Sequence, residues 1–264
     1  MRTIKNTEKS SKENRQAKAA SESPETTQMS RLRIVVGIPA YNEEQYISEV
    51  VRKAKRFTDE VIVIDDGSTD DTAQLAEAAG GLVIKHKVRR GAGGATKSCF
   101  EAVKIKDADV LVTLDGDSQH NPDELSALVA PILRNKADMV IGSRFINGQN
   151  NAPRYRRFGI AVITWLFNIG SRVKVSDAQS CFRAYGKKAL KSLNITEHGF
   201  GFSVELLIEA RREGFNITEV PISCIYHSAS HSANPVTHGL GVALTVVKLR
   251  LRNLLGRPIG GNDA

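Results

Sequence analysis

The sequence predicts an α/β protein: a mostly parallel sheet with helices on both faces. Three observations predict it. From Arg33 onward, short runs rich in β-branched residues alternate with helical patterns, the mark of repeated β-α units. Several of these runs end in acidic residues, which puts carboxylates outside the carboxyl ends of strands, where open parallel sheets bind ligands. The longest apolar stretches, Ile160 to Ile169 and Leu240 to Val247, fall well short of the ~20 residues that span a bilayer.

Taken in order, Ile34 to Ile38 reads as a strand and Glu43 to Phe57 as its helix. Val61 to Ile64 is a second strand, with a helix from Asp70. Leu82 to Ile84 leads through a glycine-rich turn to a helix over Gly93 to Lys104. Val110 to Leu114 is a strand that ends at Asp115; a helix over Pro122 to Leu133 and a strand over Met139 to Ile141 follow. Past Arg144 the pattern changes. Pro153 to Val173 is a basic, amphipathic helical segment, then come a loop at Asp177 to Ser180, a helix over Ser203 to Arg212 and a strand over Ile217 to Ile225. A last helix, Gly239 to Leu255, gathers Leu244, Val247, Leu251, Leu254 and Leu255 near one face and Lys248, Arg250 and Arg252 on the other. It either packs on the domain or lies in a membrane interface.

With 264 residues, 41% hydrophobic and 25% charged, the chain is long enough for one sizeable soluble domain. Its net charge of +8 favours anionic neighbours. No aromatic-basic interleaving accompanies the charge, which argues against nucleic acid. Three cysteines without C-x-x-C spacing point to a reducing compartment and to neither zinc nor a disulfide framework. Residues 1–30 are polar throughout. They lack the apolar core of a secretory signal and the surface needed to offset ordering entropy, so a disordered tail is expected.

Asp115-Gly116-Asp117-Ser118-Gln119-His120 is the most telling motif. Mg²⁺ is usually held by one or two carboxylates while substrate phosphates complete its shell. An Asp-x-Asp can also be mere solubility chemistry, but its place after an apolar strand favours the metal. Pro39-Ala40-Tyr41-Asn42-Glu43-Glu44 would suit a nucleotide base and ribose, or is an ordinary strand-helix turn. In Asp65-Asp66-Gly67-Ser68-Thr69-Asp70, capping and turn chemistry accounts for the second half, and the paired acids face a ligand. Arg89 to Ala95 is either a phosphate cradle or a glycine turn that allows close packing. Arg154, Arg156 and Arg157 are either a solvated helix face or a grip on a lipid-borne phosphate. His227, His231 and His238 suit contact with a phosphate better than a metal site.

Together these motifs, with Gly142-Ser143-Arg144, Asp177 to Tyr185 and Glu219-Val220-Pro221-Ile222, resemble inverting GT-A glycosyltransferases of the dolichyl- or polyprenyl-phosphate sugar synthase type. The tail from His227 to Gly241 is similar to archaeal relatives that act on lipid phosphates. The resemblance implies a GT-A catalytic domain over residues 31–230 and an acceptor-side loop with an amphipathic interface helix over 231–264. It implies that Pro39, Tyr41 and Glu43 hold the base and ribose, with Asp66 assisting and Gly116 nearby. Asp115 and Asp117, with Gln119, would bind Mg²⁺ or Mn²⁺ and through it the diphosphate. Arg144, Arg156 and Arg157 would receive the acceptor phosphate, and Asp177 and Gln179 would lie near the sugar. Cys181 stands where relatives usually have glycine, and the late histidines replace the Arg or Lys of mannosyl synthases.

A lipid phosphate is already anionic and needs no general base, so transfer requires positioning and charge alone. The expected partners are a nucleotide diphosphate sugar, uridine over guanosine, a polyprenyl phosphate and the inner face of the cell membrane, with the protein cytoplasmic and peripheral. A transferase for hydroxyl acceptors, or a non-catalytic nucleotide-binding protein at the membrane, is the alternative.

Overall fold

The structure is a computed structural model that describes residues 32–58, 60–146, 152–171, 173–225 and 244–248. The expected tail, the late histidines and most of the last helix lie outside the described residues. The described part is built on a seven-stranded sheet in the order β3-β2-β1-β4-β6-β5-β7. Its strands are β1 (Ile34–Ala40), β2 (Glu60–Asp65), β3 (Leu82–Lys85), β4 (Val110–Thr113), β5 (Met139–Ser143), β6 (Arg183–Gly186) and β7 (Ile217–Pro221). All pairings are parallel except those of β6, which runs against both β4 and β5.

The helices are α1 (Ile47–Ala54), α2 (Thr72–Ala78), α3 (Gly91–Ile105), α4 (Leu125–Leu133), α5 (Arg154–Asn168), α6 (Lys187–Ser192) and α7 (Phe202–Arg212). Two buried clusters lie against the sheet. One gathers Phe100, Phe167, Tyr185 and Leu206; the other gathers Ile38, Val50, Leu128 and Phe182. Strands β1, β2, β4 and β5 are buried almost throughout, as expected for a sheet covered on both faces. Where α3 crosses β1, Gly37 admits Cys99: a Cβ on that glycine would come within 3.0 Å of the thiol.

Two departures from expectation have clear causes. The helix after β1 begins at Ile47 and not at Glu43: residues 42–46 form a bend and a turn, held by the segment that follows β2. The amides of Asn42, Glu43 and Glu44 donate instead to Ser68 Oγ, Thr72 Oγ1 and Asp70 Oδ2. Second, β6 and α6 were not anticipated. β6 is four residues long and opens on a buried arginine, so it offers neither an apolar run nor an alternation to read.

The topology decides where a ligand can go. The chain leaves β1 for β2 and β3 on one side, then returns to place β4 on the other. The crevice at this reversal lies outside the carboxyl ends of β1 and β4. The segments that follow those two strands carry the Tyr41 and Asp115 motifs.

Candidate active site

A cavity of about 680 Å³ opens at this crevice. Pro39, Tyr41 and Glu43 line it from the β1 side, Asp115, Gly116 and Asp117 from the β4 side, and Asp66 from β2. The turn after β4 is tight. Ser118 is left-handed (φ 61), and the Gln119 amide donates to Asp117 Oδ1 at 3.0 Å. Gly116 is buried beside Ala40, Ile47 and Glu43, so the two acidic segments pack directly on each other. His120 closes the turn. It is buried, stacks on Phe182 at 5.2 Å and sets Nδ1 3.5 Å from Asp115 Oδ2. Burial, with Arg144 nearby, pushes this imidazole down to about 3, so it is neutral at physiological pH.

The acids repel one another. Burial, then the charges of Asp117, Asp115 and Asp70, pushes Glu43 up to about 8. Burial, then Asp117, pushes Asp115 up to about 7 against the pull of Arg144 and Arg183. Such a rim favours a cation, and its donors are oxygens only, which fits Mg²⁺ or Mn²⁺. Among the described residues no three His, Cys, Asp or Glu side chains are grouped to hold a metal. Asp115 and Asp117 would therefore supply two protein ligands and leave the rest of the shell to substrate. Gln119 does not line the cavity; its carbonyl accepts from the Ile225 amide.

Asp66 has a structural task as well as a place in the wall. Its carboxylate accepts from the Arg90 and Gly91 amides and from His86 Nδ1, each at 2.8 Å. This settles the two readings of the glycine-rich turn. The amides that a phosphate would need are spent on Asp66, and Gly93 donates to the His198 carbonyl at 2.8 Å. The glycines serve packing: a Cβ on Gly93 would lie 1.9 Å from the Glu197 oxygen. Arg89, from the same turn, lies 3.9 Å over the Tyr41 ring and joins the cavity wall.

On the other side of β4, Arg144 and Asp177 form a bidentate pair, Nε to Oδ2 at 2.7 Å and NH2 to Oδ1 at 2.8 Å. Asp177 is fully buried and also accepts the Ser180 amide at 3.1 Å. Burial alone would raise its pKa, but Arg144 beside it holds the carboxyl below its ordinary range. A carboxylate so engaged orients Arg144 and does not itself line the nucleotide cavity. Gln179, half-buried, is also absent from that wall. Glu219 holds the loop from below, accepting the amides of Ser176 and Asp177 at 2.8 to 3.1 Å. Arg157 is exposed and Arg156 half-buried on α5.

Two buried residues without an expected role support the walls. Arg183 donates to the carbonyls of Ser203 and Ala178. Glu205, on α7, accepts the amides of Thr196 and Glu197 at 3.0 to 3.1 Å and so fixes the segment that brings Gly199 and Phe200 to the cavity. Glu205 was hidden in sequence because its acidic position inside an apolar helix looks like an ordinary surface residue.

The chain is similar to the UDP-N-acetylglucosamine–dolichyl-phosphate N-acetylglucosaminyltransferase of Methanococcus voltae, with 31% identity over 83% of this chain and 96% of that protein. It is similar to the dolichyl-phosphate hexose transferase of Haloferax volcanii, with 33% identity over 85% and 96%. Among solved structures it resembles glucosyl-3-phosphoglycerate synthase of Mycobacterium tuberculosis, in a complex with Mn²⁺, uridine diphosphate and glucosyl-3-phosphoglycerate. The TM-score is 0.65 and the identity 26%, over 87% of this chain and 82% of that one. The fold is thus GT-A-like, and no helix among the described residues is long and apolar enough to cross a membrane. Residues 35–207 match the model of glycosyl transferase family 2, and the chain belongs to that family.

Proposed function

We propose that the chain transfers a hexosyl or N-acetylhexosaminyl unit from a nucleoside diphosphate sugar to dolichyl or polyprenyl phosphate, with inversion at the anomeric carbon. The observation that carries this reading is the acidic rim of Asp115, Asp117 and Glu43 on a cavity that also presents Tyr41. Uridine diphosphate is the favoured leaving group, in keeping with the donor named for the Methanococcus voltae relative.

Tyr41 and Glu43, with Asp66 and Pro39, bind the base and ribose. Asp115 and Asp117 would hold Mg²⁺ or Mn²⁺, which when bound offers Lewis-acid stabilisation of the departing diphosphate; Gln119, off the cavity wall, is not among the ligands. Arg144, set in orientation by Asp177, faces the acceptor phosphate, and Arg156 and Arg157 add positive charge along its approach. Gln179 lies towards the sugar. The acceptor is ionised at neutral pH, so no protein base is needed; alignment for back-side attack supplies the rate. A lipid acceptor places the protein at a bilayer surface, on the cytoplasmic face. Residues 31–230 form the catalytic part, and 231–264 serve the acceptor side.

The test is incubation with a panel of UDP- and GDP-sugars, Mg²⁺ or Mn²⁺ and a polyprenyl phosphate, with the product identified by mass. A cation-dependent glycolipid of inverted configuration is expected. Transfer to a free saccharide hydroxyl with none to the lipid phosphate would refute the reading.

A further inference from the structure

α5 turns a face to solvent that is unlike a solvated helix face. Phe158 is 72% exposed, Trp165 63% and Tyr155 57%, and Val162 and Ile169 are exposed beside them. These five residues follow at spacings of three and four, so they form one continuous stripe along the helix. The opposite side sends Ile160, Ile163 and Phe167 into the core. Scattered exposed apolar residues are ordinary, whereas a continuous aromatic stripe marks an interaction surface.

Charge says what the partner is. Between Arg144 and Asp177 the chain has no Asp or Glu, while Arg154, Arg156, Arg157, Arg172 and Lys174 all fall there. By helical spacing Arg154 borders the stripe, with Arg157 one step further round. A second copy of this chain, at +8, would bring like charge to that border. An anionic bilayer meets both features: the rings of Trp and Tyr settle at headgroup depth, and arginines reach lipid phosphates.

We propose that α5 is a membrane-docking element that lies in the surface of an anionic bilayer with Tyr155, Phe158 and Trp165 inserted. The proposal rests on the lipid-phosphate acceptor and gives its delivery a direction. A groove of about 650 Å³ is lined by Trp165 and Ile169 on one hand and by Phe145, Lys174 and Ser176 on the other. Phe145 and Ser176 are the chain neighbours of Arg144 and Asp177. A docked α5 would therefore hold the acceptor side of the site at the level where a lipid-borne phosphate resides.

Trp165 is the sole tryptophan of the chain, so its fluorescence reports on α5 alone. The full-length protein is titrated with vesicles of phosphatidylglycerol and phosphatidylcholine, and with brominated lipid as a depth-dependent quencher. A blue shift on anionic vesicles, weaker on zwitterionic ones and quenched by bromine, is expected. The variant Tyr155→Asp/Phe158→Asp retains the probe and alters only exposed positions. Its vesicle partition should fall about tenfold or more, with an unchanged circular dichroism spectrum. Co-sedimentation with vesicles while Trp165 emission stays unmoved would overturn the proposal, since contact then lies elsewhere. So would a blue-shifted emission before lipid is added in a sample with the mass of two chains, or undiminished binding by the double variant. A short, water-soluble polyprenyl phosphate analogue separates this from the catalytic reading, because the double variant should use it as the wild type does. A blue shift without transfer from any nucleotide sugar sinks the activity and leaves the docking face; transfer without the shift does the reverse.

Discussion

Replacing Asp177 by Ala tests how much the Arg144–Asp177 pair contributes to holding the fold around it. Asp177 is fully buried, and the Arg144 side chain is 12% exposed. The substitution removes the carboxylate to which a mostly buried guanidinium and the Ser180 amide now donate. Breaking a buried pair costs about 3–5 kcal/mol, and the residual solvent contact of Arg144 argues for the lower end, about 3 kcal/mol. Against a typical total of about 5–15 kcal/mol, that loss is readily measured by urea denaturation at pH 7. Arg144→Gln should cost less, since the Ser180 and Gln179 amides continue to donate to Asp177. The double variant should then show a coupling of about 2 kcal/mol, within the range for contacting residues. pH adds a second check. The folded carboxyl titrates below its ordinary 3.8, so the pair's contribution is fully present above pH 3.8 and is lost as pH falls through the lower folded value. The gap between wild type and Asp177→Ala should therefore close only in strong acid. A loss of less than about 1 kcal/mol at neutral pH, below the usual cost of a stranded buried donor, would refute the reasoning.

Four further outcomes are expected. Asp117→Ala should abolish transfer while the fold is retained, and cation-dependent turnover in that variant would remove Asp117 from the site. Asp115, raised to about 7, must lose its proton to serve as a ligand, and ionisation of Glu43, raised to about 8, adds negative charge beside it. Mn²⁺ affinity should thus rise from pH 6 to 8, with proton release visible by calorimetry in buffers of different ionisation enthalpy. The same two acids bind more protons folded than unfolded, so metal-free stability should decline from about pH 4 towards pH 8 and recover when Mn²⁺ is added. Gly93→Ala would drive a methyl into the Glu197 carbonyl and displace the Gly199–Phe200 wall; UDP affinity should drop tenfold or so, of the order expected for overpacking by about 1–3 kcal/mol, as titration calorimetry would reveal.

The gathering of Tyr41, Glu43, Asp115 and Asp117 at one cavity was legible in sequence because its signals are local. Tyr41, Glu43, Asp115 and Asp117 follow directly on apolar strands, and the strand periodicity places them at one rim. The rest depends on contacts far apart in the chain. Nothing near Asp66 shows that its carboxylate will be taken up by the amides of Arg90 and Gly91, so the glycine turn could be read as a phosphate cradle or as a packing device. Arg183 and Glu205 look like surface residues until the tertiary structure buries them among carbonyls and amides. The stripe on α5 was visible as amphipathicity, but the pattern alone did not say which face stays in water.

The reversed direction of β6 has an architectural consequence. In register, Arg183 lies level with both Thr113 and Ile141, so the polypeptide enters this strand at the rim where β4 and β5 leave. A purely parallel array would offer departing segments alone there; one inverted strand adds an arriving one, the stretch from Asp177 to Phe182. That stretch is held near its start by arginines, Arg144 on Asp177 and Arg183 on the Ala178 carbonyl, and neither arginine belongs to β1 or β2. Under the proposed function, recognition of the molecule that accepts the sugar could thus diverge independently of the residues proposed to hold the donor.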